Sequence, residues 1–205
     1  MKLIHIDEPR HSRKVIEKQA EAILKIKPDI ILFELPRVGE LSYFNKFKPK
    51  NKPHERIDNI KEHFSALSKY YPWFASFYKI IEAVEQLWSK GKQVYLYEID
   101  GPVELTSAGE GKRGVQNVVW NYLREKFMLE SIKRLNRRFP RKKALLFCHN
   151  FHWGNLNFLL KKPSKKEIWN HYFKIIGNVT PEWVERELRR KNKVLYKYWK
   201  KLGFR

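Results

Sequence analysis

Residues 29–33 read Asp-Ile-Ile-Leu-Phe, an apolar run without polar alternation, and this run restricts the fold more than any other feature. A strand with one face in water alternates, whereas a strand covered on both faces does not. Double coverage is the habit of parallel strands sandwiched between helices. Three other β-prone runs, 2–6, 93–97 and 144–148, stand between stretches of helical periodicity. Ser12 is placed to cap a helix whose apolar positions Val15, Ile16, Ala20, Ile23 and Leu24 recur every three or four residues and which must end before Pro28. The opening is therefore β-α-β.

Residues 36–54 are rich in Pro, Lys and Asn and read as a long loop. Helices are expected over about 55–70 and 72–91, the second starting at Pro72 and closed by Gly91. A Gly-containing loop at 101–114 then opens into a helix over 115–138, whose apolar face is Val118, Val119, Tyr122, Leu123, Phe127, Leu129, Ile132 and Leu135. Leu156 to Leu160 reads as helix, and Thr180-Pro181 caps a final helix running to Gly203. The expected fold class is α/β, with a mainly parallel central sheet flanked by helices. An α/β core over residues 1–160 would carry a basic helical extension, 161–205, packed on it.

At 205 residues the chain is about one domain long, and 42% apolar with 15% aromatic content excludes a disordered tail or a collagen-like fibre. The single cysteine, Cys148, cannot form an internal disulfide, which excludes stapled secreted scaffolds and makes a reducing, cytoplasmic setting the expectation. No apolar run reaches the roughly 20 residues that cross a bilayer, and residues 2–6 are too short for a signal-peptide core. The net charge is +21, and it is unevenly spread: Lys133 to Arg205 holds 21 basic and 4 acidic residues, leaving only +4 for everything before it. Such a field attracts polyanions, nucleic acid first and an anionic membrane surface after it. A solvated, solubilising face is the other account of the same lysines.

In open parallel sheets, ligands bind beyond the carboxyl ends of the strands. The four expected strands run into Asp7-Glu8-Pro9-Arg10-His11, Glu34, Glu98 with Asp100, and His149-Asn150-Phe151-His152. Each ending carries a carboxylate or an imidazole, although loops are polar anyway. Glu8 with His11 and His149 with His152 share a three-residue spacing that converges on one helical turn. Neutral imidazole and carboxylate are donors for Zn, Mn, Fe or Co, and a divalent metal can activate water near neutral pH. A hydrogen-bonded structural histidine explains the same spacing.

Pro28-Asp29-Ile-Ile-Leu-Phe-Glu34-Leu35 resembles the segment after the first helix in TraB/PrgY proteins, which share a superfamily with the ChaN-like, erythromycin-esterase-like and TIKI protease families. Their other marks are a Gly-x-x-His or Gly-Glu-x-x-His after the first strand, a basic-acidic pair on a later helix, and a second Gly-x-x-His after the last core strand. The matching positions are Glu8 to His11, Arg124-Glu125 with Met128 one turn on, and His149 to His152 followed by Gly154. Order and strand context agree across about residues 1–160. Asp7 stands in place of the first glycine and His149 in place of the second, which alters the turn that brings each histidine inward.

The resemblance implies a pocket of Glu8, His11, Glu34, Arg124, Glu125 and His152, with a divalent metal (Mn, Zn or Co) on His11, His152 and Glu34. His149 is an additional local candidate ligand. The TIKI branch implies metal-dependent peptide hydrolysis and the erythromycin-esterase branch ester hydrolysis by water that His and carboxylates activate. ChaN-like members are associated with haem. Chemically, a His or Glu would activate water and Arg124 would stabilise the developing anion, while a buried Arg124–Glu125 ion pair is the structural alternative. The expected function is a hydrolase, metal-assisted, acting on or near nucleic acid; the rival is a non-catalytic nucleic-acid-binding protein on the same fold.

The last third interleaves bases with rings. Lys161, Lys162, Lys165, Lys166, Arg186, Arg189, Arg190 and Lys193 are the candidate phosphate contacts. Trp169, Tyr172, Phe173, Tyr196, Tyr198 and Trp199 offer stacking surfaces, but Trp169, Phe173 and Ile176, and approximately Trp183, Leu188, Leu195 and Trp199, recur at helical spacings, which points to a core for most of these rings. There is no phosphate-cradling Gly-x-x-x-x-Gly-Lys run, no dinucleotide fingerprint and no paired-cysteine metal motif.

Overall fold

A computed structural model describes residues 1–7, 13–35, 37, 45–46 and 78–202. Glu8, His11, the Ser12 cap and the helix expected over 55–70 lie outside the described residues, as does most of the loop expected over 36–54. The described residues fall into two compact units. The first draws on Met1–Phe33, Gly39–Glu98 and Phe139–Asn150, the second on Glu34–Val38, Ile99–Arg138 and Phe151–Arg205.

The first unit holds a four-stranded, all-parallel sheet, so the fold is α/β. Its strands are β1 (Lys2–Asp7), β2 (Ile30–Phe33), β3 (Tyr95–Glu98) and β4 (Lys143–Cys148), in the order β1-β4-β2-β3. The last strand in sequence thus pairs between the first two, with Ile6 and Phe33 both opposite Phe147. The hydropathy pattern is explained by this order. Central β2 and β4 are buried along Ile30–Phe33 and Ala144–Cys148, while β1 and β3 at the edges are partly exposed. Asp29 ties the amino ends together. Its carboxylate accepts from the Lys143 backbone N–H at 2.8 Å and pairs with Lys92 at 2.6 Å, and its carbonyl accepts from the Tyr95 N–H at 2.9 Å. Burial opposes its ionisation, but Lys92, the Lys143 N–H and Lys142 together hold its pKa below the ordinary 3.8.

Helices α1 (Arg13–Ile26) and α2 (Tyr78–Ser89) pack against each other. Gly91, at φ +80°, ends α2 as expected, letting the Lys92 N–H return to the Leu87 carbonyl at 2.9 Å.

The second unit is helical: α3 (Val103–Ala108), α4 (Val115–Arg138), α5 (Asn150–Leu160, whose first residue belongs to the first unit), α6 (Lys165–Phe173), a 3-10 turn at Lys174–Ile176, α7 (Pro181–Lys191) and α8 (Lys193–Leu202). Three expectations are corrected. The 101–114 segment contains α3, too short to show periodicity. Tertiary contact stabilises it, since Trp120 of α4 donates to the carbonyls of Leu105 and Thr106 that a short helix leaves open. The helix expected from Leu156 begins at Asn150, whose backbone N–H is received by the Asp7 carboxylate at 2.9 Å. Finally, the long helix from Thr180 is two helices. Asn192 is extended at φ −153°; its side chain accepts from the Leu195 N–H at 3.0 Å and donates to the Ala108 carbonyl at 2.9 Å, ending α7 and starting α8. The Thr180 cap is as expected, accepting from the Trp183 N–H at 3.2 Å.

Candidate active site

Helix α4 turns one stripe inward, with Tyr122, Leu129 and Ile132 buried on it, and Glu125 occupies that stripe with no exposed surface. A carboxylate there must find partners or lose its charge. It has three. Glu125 Oε1 accepts from His152 Nδ1–H at 2.7 Å and from Asn155 Nδ2 at 2.8 Å, and Oε2 accepts from the Tyr172 hydroxyl at 2.6 Å. His152 and Asn155 stand one turn apart on α5, and Tyr172 comes from α6.

The neighbouring Arg124 projects from another side of α4. Its guanidinium lies 4.6 Å from the Trp120 ring centroid. Nε donates to both Asp100 oxygens, at 3.1 and 2.9 Å, and Nη2 donates to Asp100 Oδ2 at 2.5 Å and Glu34 Oε1 at 2.9 Å. Asp100, 1% exposed, also accepts from the Gly101 N–H at 2.6 Å. Burial works against the Arg124 charge, but Asp100 and then Glu34 outweigh it and raise its pKa further. Among the described residues, Nη1 makes no hydrogen bond.

Glu34 joins the two clusters, because the Oε1 that accepts from Arg124 also lies 3.3 Å from His152 Nε2. The polar chain therefore runs from Asp100 through Arg124, Glu34, His152 and Glu125 to Tyr172, all within the second unit. Burial disfavours the His152 imidazolium, yet the Glu125 hydrogen bond and the charges of Glu34 and Glu125 prevail over burial and Arg124, raising its pKa above 6.5. Burial above all, helped by the Glu125 charge, pushes the Tyr172 hydroxyl far up, so the phenol keeps its proton and donates it to Glu125. Burial takes Tyr122 up to about 12.

Four of the residues singled out in the sequence, Glu34, Arg124, Glu125 and His152, stand together. Glu8 and His11 lie outside the described residues. His149 is exposed just before α5 and belongs to the first unit. Asp100 was visible as a strand-end acid without being assigned to the site. Asn155 and Tyr172 were missed: Asn155 had only its one-turn spacing from His152 as a signal, and Tyr172 had none. The Arg124–Glu125 ion pair considered above is not the arrangement found, because the two side chains serve different partners.

Among the described residues, no group of three or more His, Cys, Asp or Glu side chains is arranged to hold a metal ion. The donor chemistry agrees. Glu34 and His152 Nε2 would supply two ligands, but the Glu34 oxygen already faces a permanent guanidinium, which repels a divalent ion. The described residues by themselves form no such site.

All eight candidate phosphate contacts, Lys161, Lys162, Lys165, Lys166, Arg186, Arg189, Arg190 and Lys193, are exposed, and Arg190 is paired with Glu187. Phe173 and Trp199 are buried, as their spacing predicts, and so are Tyr172 and Tyr198, whose rings cannot stack on bases; Trp169, Trp183 and Tyr196 are only partly buried. No described helix is long and apolar enough to cross a membrane. No family model, curated protein or solved structure matches the chain.

Proposed function

We propose that the protein is a hydrolase whose proton-transfer atom is His152 Nε2, with a carboxylic ester or amide as the substrate class. One observation carries this: Glu125, wholly buried, holds His152 Nδ1–H at 2.7 Å, which fixes the tautomer whose Nε2 carries the lone pair, 3.3 Å from Glu34 Oε1. With the ring neutral, Nε2 takes a proton from water as its oxygen attacks the carbonyl carbon. The charge that forms on the carbonyl oxygen is met by Arg124, whose Nη1 donors are uncommitted among the described residues while two carboxylates fix its other nitrogens. When the tetrahedral intermediate collapses, Nε2–H returns the proton to the leaving group, giving acid and alcohol or amine. Glu34 restrains Arg124 and favours the imidazolium formed midway. The order of motifs shared with the TraB/PrgY superfamily supports hydrolysis, as does the grouping of Glu34, Arg124, Glu125 and His152.

The test is turnover on a panel of ester, peptide and phosphodiester substrates. His152→Ala is expected to lower kcat by at least about 100-fold, the lower end of what a positioned acid–base group contributes, measured at a temperature where the variant is folded, since taking a donor from buried Glu125 also lowers the melting temperature. Full turnover by this variant would remove the assignment.

Binding to nucleic acid is the second reading, favoured by one feature: eight exposed basic side chains in the part of the chain that carries nearly all the net charge. Contact would be to phosphates, with affinity for a mixed-sequence oligonucleotide falling steeply from 50 to 200 mM salt, by about 10³-fold if some six phosphates are neutralised. No binding at low salt would discard this partner.

A further inference from the structure

The segment that looks merely basic in sequence supplies the support of the site. We infer that Tyr172 and Asn155, with His171 behind them, are positioning residues that fix Glu125 and, through it, the ring of His152. The catalytic consequence rests on the hydrolase reading; the positioning itself does not.

A buried carboxylate bound to one donor can still rotate about its last side-chain torsion, which is broad. Glu125 has donors on both oxygens: Oε1 receives His152 and Asn155, at 2.7 and 2.8 Å, and Oε2 receives Tyr172 at 2.6 Å. Turning the carboxylate to release His152 would break contacts on both sides. The braces are themselves braced. The Tyr172 ring meets Tyr122 edge-on at 5.0 Å, and Tyr122 also meets Phe173 and Trp199 edge-on, at 6.0 and 6.3 Å. These contacts hold the Tyr172 ring where its hydroxyl meets Glu125 Oε2.

The Asn155 amide is set by His171, whose Nε2–H donates to Oδ1 at 2.8 Å and so leaves Nδ2 for Glu125. His171 is stacked on Phe158 with ring centroids 4.0 Å apart and planes 15° from parallel. Consecutive residues of α6 thus reach α5 through His171 and α4 through Tyr172. A ring that must pass a proton in both directions works only when held in register, and misplacement by about 1 Å can cost 100-fold.

The experiment is proton–nitrogen NMR of the full chain with ¹⁵N-labelled histidine, which needs no substrate. In the wild type, His152 is expected to show one ring tautomer and a low-field Nδ1–H resonance protected from water. Tyr172→Phe keeps the ring and removes only the donor; it is expected to lose that resonance to solvent exchange while the fold, read by melting, persists. His171→Ala, at an exposed position, is expected to weaken the resonance to a lesser degree. On a substrate found by the panel above, Tyr172→Phe should lower kcat by up to about 100-fold with KM unchanged. An unchanged resonance and tautomer in both variants would overturn the inference. If Tyr172→Phe fails to fold, His171→Ala decides it by the same resonance: weakening supports the brace and an unchanged resonance refutes it. Loss of the resonance in a protein with no turnover on any substrate would keep the positioning and dismiss the hydrolase.

Discussion

The first unit buries hydrocarbon side chains along β2 and β4 and, among its described residues, one buried polar side chain, Gln19; the second buries Asp100, Glu125, Ser131, His152 and Asn155. The contrast separates two uses of an interior. Burial of apolar area stabilises at roughly 25 cal/mol per Å², and any well-packed residue of similar volume does the same work. Buried ions bring a desolvation cost that their attraction only partly offsets, and apolar replacements of equal volume are often no less stable. Stability alone gives little reason to hold three carboxylates, an arginine and a histidine in one network. The second unit is where the molecule departs from the cheapest interior, and chemistry is a reason for such a departure.

The sharpest way to break this contrast is to truncate one member of each interior and compare denaturant midpoints. Glu125→Ala strands the His152 imidazolium, Asn155 and the Tyr172 hydroxyl, and should cost about 3–5 kcal/mol. Leu146→Ala, at a site with no exposed surface, should cost about 2–5 kcal/mol through lost transfer energy and a cavity. The two losses differ in kind: Glu125→Gln should recover much of the first, while only an apolar side chain of similar volume should recover the second. A Glu125→Ala variant as stable as the wild type would mean that the network is not the tightly bound structure described.

A smaller effect appears in the pH dependence of stability, where the two units respond at opposite ends. His152 has a folded pKa raised above 6.5, so its contribution is full below 6.5 and disappears as pH rises through the folded value. Asp29 has a folded pKa lowered below 3.8, so its contribution is present above 3.8 and disappears as pH falls through the folded value. Melting scans should show His152→Gln flattening the decline on the neutral-to-alkaline side and Asp29→Asn flattening the acid side. Under the proposed hydrolase mechanism, catalysis would move with the first of these, rising with pH as the ring loses its proton above 6.5. If both variants lost stability equally at every pH, neither ionisation would be coupled to folding.

Glu125 was half legible. It stands in register with Tyr122 and Leu129 on the apolar stripe of α4, a place where a carboxylate requires partners, and its motif neighbour Arg124 drew attention to it. The partners themselves were not legible, since His152 lies 27 positions away and Tyr172 47, distances that periodicity does not span. The same limit explains α3, whose open carbonyls are closed by Trp120, and the break at Asn192, where the side chain competes with the backbone and reaches Ala108.

The sequence by itself determined the parallel sheet, the span of α4, the burial of Phe173 and Trp199 and the skew of charge towards the last third. These follow from local propensity and the period at which apolar residues recur, which neighbouring residues encode. Only the tertiary structure decided that β4 pairs between β1 and β2, that Arg124 and Glu125 serve separate partners, and that α6 closes around Glu125. Strand order and side-chain pairing depend on contacts between residues far apart in the chain, where the free energy of burial and hydrogen bonding is realised only after the elements have packed.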